Sequence, residues 1–271
     1  MRAALVTEYR KLVTTRLWWI LLLAMVAYMA FLAALLAWGV SEGGGMSSTG
    51  QGGGDDLVLT PEAVTRSVYT IAVTFGYVFP LVVGALTYPA ELRHQTLTPT
   101  FLAEPRRTVV LVAKLVSGAG LGLVFGVAGT AAAAGAGATV LSLLGHPTFL
   151  DAASTWRTLA LSAVALALWA FVGVALGTVL TNQVAVVVVV LAFTQFVEPV
   201  LRFTLSLTSW GTGVASYLPG AAGEAVSGGS FYSESGLGEL LPWWQGLLVL
   251  LGYGALFAVV GRFTRVRQDV T

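Results

Sequence analysis

The run Leu17-Trp-Trp-Ile-Leu-Leu-Leu-Ala-Met-Val-Ala-Tyr-Met-Ala-Phe-Leu-Ala-Ala-Leu-Leu-Ala-Trp-Gly-Val40 holds no charged residue and no proline. A hydrocarbon core about 30 Å thick is crossed by roughly 20 such residues in a helix, and this run exceeds that. Predominantly apolar runs of similar length return at about Val68–Tyr88, Leu115–Leu144, Leu159–Leu180, Val184–Phe203 and Leu241–Val260. These runs are continuous rather than alternating, and too long for barrel strands. The sequence therefore predicts an all-α membrane protein with six transmembrane helices, residues 1–271 forming one transmembrane domain. The first run is too long for a signal-peptide core and has no convincing cleavage site, so it reads as an uncleaved span.

Composition agrees. Hydrophobic residues make up 56% of the chain and charged residues only 10%, with a mean hydropathy of +0.84, well above a soluble domain. Cysteine is absent, which removes disulfides and thiolate-ligated metals. Arg2, Arg10, Lys11 and Arg16 precede the first span; Arg93, Arg106, Arg107 and Lys114 lie between the second and third; Arg262, Arg265 and Arg267 follow the last. The alternate loops are poor in Lys and Arg and rich in acids. By the positive-inside rule both termini are expected in the cytoplasm of a multi-pass plasma-membrane protein.

Ahead of the first span, Leu5, Val6, Tyr9, Leu12 and Val13 share one helical arc, with Thr7, Glu8, Lys11, Thr14 and Thr15 opposite. Residues 1–16 are thus expected as an amphipathic interfacial helix, with Trp18 and Trp19 at headgroup depth. The stretch Ser41–Asp56 reads as a Gly/Ser linker. Thr60-Pro61-Glu62 then restarts a helix with an N-cap and a proline at its first position. Pro80, inside the second span, is expected to kink it.

Gly118, Gly122 and Gly126 repeat every four residues in the third span, and Gly173 and Gly177 in the fourth. Such faces let helix backbones approach closely in lipid, where packing drives association. Thr181 and Asn182 leave room only for a tight hairpin between spans four and five. Glu198 and Arg202, four apart near the outer end of span five, are expected to form an intramembrane ion pair, the alternative being a substrate or ion contact. Between spans five and six, Gly213–Tyr217 and Ala221–Val226 are helix-competent pieces split by Leu218-Pro219-Gly220. They read as short helices dipping into the outer leaflet.

Phosphate-loop, zinc-protease and nucleophile-elbow motifs are absent. His94 and His146 fall on opposite sides of the expected membrane, so no metal site is expected. Basic residues are too scattered for nucleic acid. The chain is therefore expected not to be an enzyme and to hold no cofactor of its own.

The loop between spans two and three reads Glu91-x-Arg93-His94-x-Thr96-x-Thr98-Pro99-Thr-Phe101-Leu102-x-x-Pro105-Arg106-Arg107, with Lys114 heading the next span. Positive-inside decoration accounts for its arginines but not for its prolines or its apolar Phe101 and Leu102. This loop resembles the coupling loop of ABC type-2 permeases, most closely those of actinobacteria. The N-terminal helix with Glu8, Arg10 and Lys11, the six spans, Glu198-Pro199 and Tyr217-Leu-Pro219-Gly220-Ala-Ala agree over the whole chain. The resemblance implies an exporter whose energy comes from a separate cytoplasmic ATPase subunit, which would bind ATP and Mg. It also implies a second permease subunit, as homodimer or heterodimer, and re-entrant helices before the last span. The loop over 91–107 would act as a coupling helix, through Glu91, Arg93, Phe101, Leu102, Arg106 and Arg107. The alternative is a stand-alone secondary transporter or channel, although such carriers more usually place acidic or histidine relays at mid-membrane.

Overall fold

The computed structural model describes residues 2–42, 60–208, 210–234 and 240–266. Among these, all regular structure is helical. Six helices are long and apolar enough to cross a membrane: Leu17–Ser41, Pro61–Arg93, Arg107–Leu143, Ala153–Val179, Gln183–Ser206 and Trp243–Thr264. Each overlaps a span expected from hydropathy. The glycine-rich part of the expected Ser41–Asp56 linker falls within 43–59, outside the described residues.

In chain order, α1 (Arg2–Thr14) leads into α2 (Leu17–Glu42). The corner between them is braced by the Trp18 indole, which donates to the Val13 carbonyl at 3.0 Å. Within α2, Met25, Met29, Ala33 and Ala37 are fully buried, a stripe with a spacing of four on one helical face. Leu21, Leu22, Leu32 and Leu36 flank that stripe partly buried against the core, while Leu23, Tyr28, Phe31 and Leu35 are exposed.

The second span is two helices, α3 (Pro61–Thr74) and α4 (Val78–Arg93). Thr60 caps α3 as expected: its side chain accepts from the Ala63 N–H at 3.2 Å, with Pro61 in the first turn. The expected kink at Pro80 is displaced. The chain breaks instead at Phe75–Tyr77, and Pro80 sits in the first turn of α4, where no intrahelical donor is required. At the break, a Cβ on Gly76 would collide with the Ala72 carbonyl and with Met29 of α2. Only glycine lets the three helices meet there.

After α5 (Leu97–Ala103) come the long α6 (Arg107–Leu143) and α7 (Ala153–Val179). Helix α7 is central, packing on α6, on α4 and on α13 (Trp243–Gly261). The predicted glycine faces form these crossings. Gly118 and Gly122 of α6 meet Val174 and Ala170 of α7, and a Cβ on Gly126 would strike the Ala163 backbone. On another side of α7, a Cβ on Gly173 or Gly177 would strike the Leu81 or Ala85 carbonyl of α4. Close backbone approach adds many small dispersion gains, the main attraction left between helices in lipid.

Span five consists of α8 (Gln183–Ala192), a single π-helical turn at Phe193–Val197, and α9 (Glu198–Ser206). Asn182 starts it, its side-chain oxygen accepting from Val184 N at 2.9 Å and Ala185 N at 3.1 Å. Three short helices follow: α10 (Gly211–Ala215), α11 (Pro219–Ser227) and α12 (Phe231–Glu234). All nine residues of α11 are buried, held between α7 and α13.

Candidate functional site

Two buried charge clusters stand out, at opposite ends of the helices. The first is assembled from four elements. Lys114 of α6 donates to Glu8 Oε2 of α1 at 2.6 Å and to Glu91 Oε1 of α4 at 2.7 Å. Lys11 of α1 donates to Glu8 Oε1 at 2.8 Å and to the same Glu91 oxygen at 3.0 Å. Two lysines and two glutamates thus alternate in a closed ring. Lys11 also reaches Thr100 Oγ1 of α5 at 2.9 Å.

Glu8, Glu91 and Lys114 are all buried, Lys114 to 3% exposure. Such burial removes hydration that only close, multiple pairing can replace. Burial works to lower the Lys11 pKa. Hydrogen bonding to Glu8 and the charges of Glu91 and Glu8 outweigh it, and the pKa lies above the usual lysine value.

This arrangement divides the polar arc of α1. Thr7, Thr14 and Thr15 are exposed, whereas Glu8 and Lys11 turn into the bundle, and on the apolar arc Val6, Tyr9 and Val13 are exposed at 44%, 62% and 41%. Glu91 faces inward, bound to both lysines.

The turn from α4 to α5 explains how the loop is aimed. The Gln95 N–H donates to Leu92 O at 3.2 Å and the Thr96 N–H to Glu91 O at 3.0 Å, the pattern of a Schellman cap. Gln95 occupies the left-handed position, φ 54°, usually left to glycine. Helix α5 then leaves with Pro99 in its first turn, and Pro105 follows its end.

On α5 the two predicted apolar knobs differ. Phe101 folds back against buried Tyr88 and Leu97, and the Arg107 guanidinium lies over its ring at 5.1 Å. Leu102 points away and is 79% exposed. Arg106 pairs with Glu104, Nε to Oε1 at 3.0 Å. The Arg106 hydrogen bond holds the Glu104 carboxyl below its usual pKa. Arg93 donates to Gln183 at 3.0 Å, tying the loop to the start of α8.

The second cluster joins α9 to α11. Arg202 makes a two-pronged bond to Glu224, Nη1–Oε1 at 2.8 Å and Nη2–Oε2 at 2.7 Å. Ser230 Oγ adds a bond to Glu224 Oε2 at 2.6 Å, and the Arg202 guanidinium lies 5.0 Å over the Tyr232 ring. Glu198, 2% exposed, takes a different partner. Its Oε1 accepts from the Gly220 and Ala221 N–H groups at 2.5 and 3.3 Å. The predicted Glu198–Arg202 pair is therefore replaced by two links from α9 to α11. The guanidinium fork matches the Glu224 carboxylate, and the free N–H groups opening α11 need an acceptor and favour a negative one. The glycines of α11 make room: a Cβ on Gly220 would overlap the Glu198 carboxylate, and one on Gly223 the Trp169 indole nitrogen. Glu198 Oε2 and Trp169 Nε1 are buried without partners.

Sequence reasoning left Glu224 inside a short helix expected in the outer leaflet and Lys114 at the head of the third span, and gave neither a partner. Each stands alone in an apolar setting, Val109–Val116 for Lys114 and Gly220–Val226 for Glu224. An isolated charge of that kind is a signal for a buried partner. Among the described residues, no group of three His, Asp or Glu side chains is arranged to hold a metal. No protein-family model matches the chain, and no curated protein matches it either.

Proposed function

We propose that this chain is the membrane subunit of an ATP-driven exporter of the ABC type-2 permease kind, paired with a second permease subunit and energised by a separate cytoplasmic ATPase. The observation that carries this reading is α5. It is a short helix outside the spans that offers one bare leucine, Leu102, outward. Behind that leucine it is braced by the Tyr88–Leu97–Phe101 cluster. Lys11 ties Thr100 of α5 into the charge ring shared by α1, α4 and α6. A push on α5 therefore reaches three helices through hydrogen bonds rather than through a loose loop, which is what a subunit without its own phosphate loop needs.

In this reading α1 lies along the cytoplasmic surface, with Val6, Tyr9 and Val13 in lipid. Helices α10 and α11 enter the outer leaflet and return. The experiment is purification of the tagged chain from its own host, with any co-purifying ABC ATPase identified by mass spectrometry, followed by ATP hydrolysis in liposomes. A stable complex whose hydrolysis depends on Leu102 supports the reading. Failure to associate with any ABC ATPase overturns it.

A stand-alone carrier draws support from one feature, the buried and half-satisfied Glu198 within a span. ATP-independent, ion-gradient-driven transport that is lost in Glu198→Gln would favour that second reading.

A further inference from the structure

The corner between α1 and α2 stands off from the C-terminal half of α4 and leaves a cavity of about 550 Å³. Most of its wall is apolar, made by Leu12, Leu17, Trp18, Val83 and Leu86, with Thr87, Thr96 and Gln183 adding a few polar atoms. Ring members Glu8, Lys11, Glu91 and Lys114 also line it, and their two positive and two negative charges cancel within the ring. Arg16, His94, Thr14 and Thr15 are exposed around it. Arg16 has no ion-pair partner among the described residues, so the lining carries one unbalanced positive charge. Glu91 Oε2, the one ring oxygen without a partner, is buried rather than presented to a headgroup.

A space of this size with such a wall does not suit ordered water, which needs several polar partners per molecule. An apolar slot with a single uncompensated guanidinium fits an amphiphile with an anionic head. Arginine holds phosphate oxygens with two parallel hydrogen bonds, and basic pockets between membrane helices recognise anionic headgroups. The apolar faces of α1 and α2 border the slot, so a lipid can enter sideways without crossing water.

We propose that this cavity is a binding site for an anionic phospholipid of the adjoining leaflet. Its phosphate rests on Arg16, and one acyl chain lies along Leu12, Leu17, Trp18 and Leu86. The bound lipid fastens the α1–α2 corner to α4. This inference rests on α1 lying at a bilayer surface, and it stands whether or not an ATPase partner exists.

The test uses the purified full chain in a neutral detergent, with phosphatidylglycerol or phosphatidylcholine added. Bound lipid is read by native mass spectrometry, and stability by melting temperature. Phosphatidylglycerol is expected to stay bound and to raise the melting temperature by several degrees, whereas phosphatidylcholine does neither. Arg16→Gln, at an exposed position, and Ala90→Phe, which fills the slot, are each expected to abolish the retention and the shift. Their melting in phosphatidylcholine alone checks that they fold, and Arg16→Gln suffices if Ala90→Phe does not. Glycerol phosphate and inorganic phosphate, which lack chains, are expected to have no effect. Equal effects of the two lipids, a full phosphatidylglycerol shift in Arg16→Gln, or the same shift with free phosphate would each overturn the proposal. No readout involves ATP, so failure here leaves the transporter reading untouched.

Discussion

Lys114 and Glu8 lie 106 residues apart in the chain and 2.6 Å apart in the fold, both buried. The bond seats the N-terminal helix on the third span. Removing one partner leaves the other with a single ring bond and the ring with one surplus buried charge; breaking a buried pair outright costs about 3–5 kcal/mol, which is the upper bound here. Lys114→Met and Glu8→Gln are each expected to lower the melting temperature sharply. The double variant should recover part of the loss, because the Lys11–Glu91 pair remains. Additive losses in detergent melting curves would contradict the closed ring.

Phe101 and Leu102 are neighbours with opposite surroundings, and substitution should separate them. Leu102→Asp should fold and melt as the parent does while losing association with an ATPase. Phe101→Asp should itself melt lower, because the new carboxylate enters the Tyr88–Leu97 cluster. Melting curves alongside ATPase pull-downs distinguish the two. Wild-type association by Leu102→Asp would remove α5 as the docking element.

Arg202 and Glu224 should show the large coupling of α9 to α11 in a double-mutant cycle, and Arg202 with Glu198 a smaller one. The measurement is melting temperature for Arg202→Gln, Glu224→Gln, Glu198→Gln and the two doubles. A larger coupling for Glu198 with Arg202 would return the pair to the sequence-predicted partner.

Gly177 and Gly135 give a controlled comparison. A Cβ on Gly177 meets the Ala85 backbone, whereas one on Gly135 meets nothing within 4 Å. Overpacking of a tight contact costs about 1–3 kcal/mol. Gly177→Val should therefore destabilise clearly and Gly135→Val little, read by the same melting assay. Equal losses would mean that helix propensity rather than the crossing dominates.

The expected orientation can be read by labelling, since the chain lacks cysteine. An impermeant thiol reagent applied outside intact cells should modify Ser48→Cys and Ser154→Cys and spare His94→Cys. The reverse pattern would invert the topology and place α5 on the wrong side for a cytoplasmic partner.

The spans were legible because lipid demands one simple property, some 20 predominantly apolar residues in a row, and the chain supplies it six times over. The cap at Thr60 and the glycine crossings were legible for a similar reason, since each rests on local spacing. The break at Phe75–Tyr77 was not. It depends on Gly76 meeting Met29 from another helix, while Pro80 offered a louder but harmless signal in the first turn of α4. The charge clusters were the least legible part. Glu198 and Arg202 look like partners at a spacing of four, yet α11 presents each with a better one, a pair of free N–H groups and a carboxylate matched to the fork. Likewise, Glu8 and Lys11 look like the wet side of an amphipathic helix until Lys114 and Glu91 arrive from elsewhere in the chain.

That late arrival has a consequence for biogenesis. The ring draws on residues 8, 11, 91 and 114, so the N-terminal helix has no finished seat while only the first two spans have been made. On the proposed interfacial placement of α1, Glu8 and Lys11 stay hydrated during that interval. Emergence of Lys114 from the ribosome then supplies the missing cation, and α1 locks only once the head of the third span has been made.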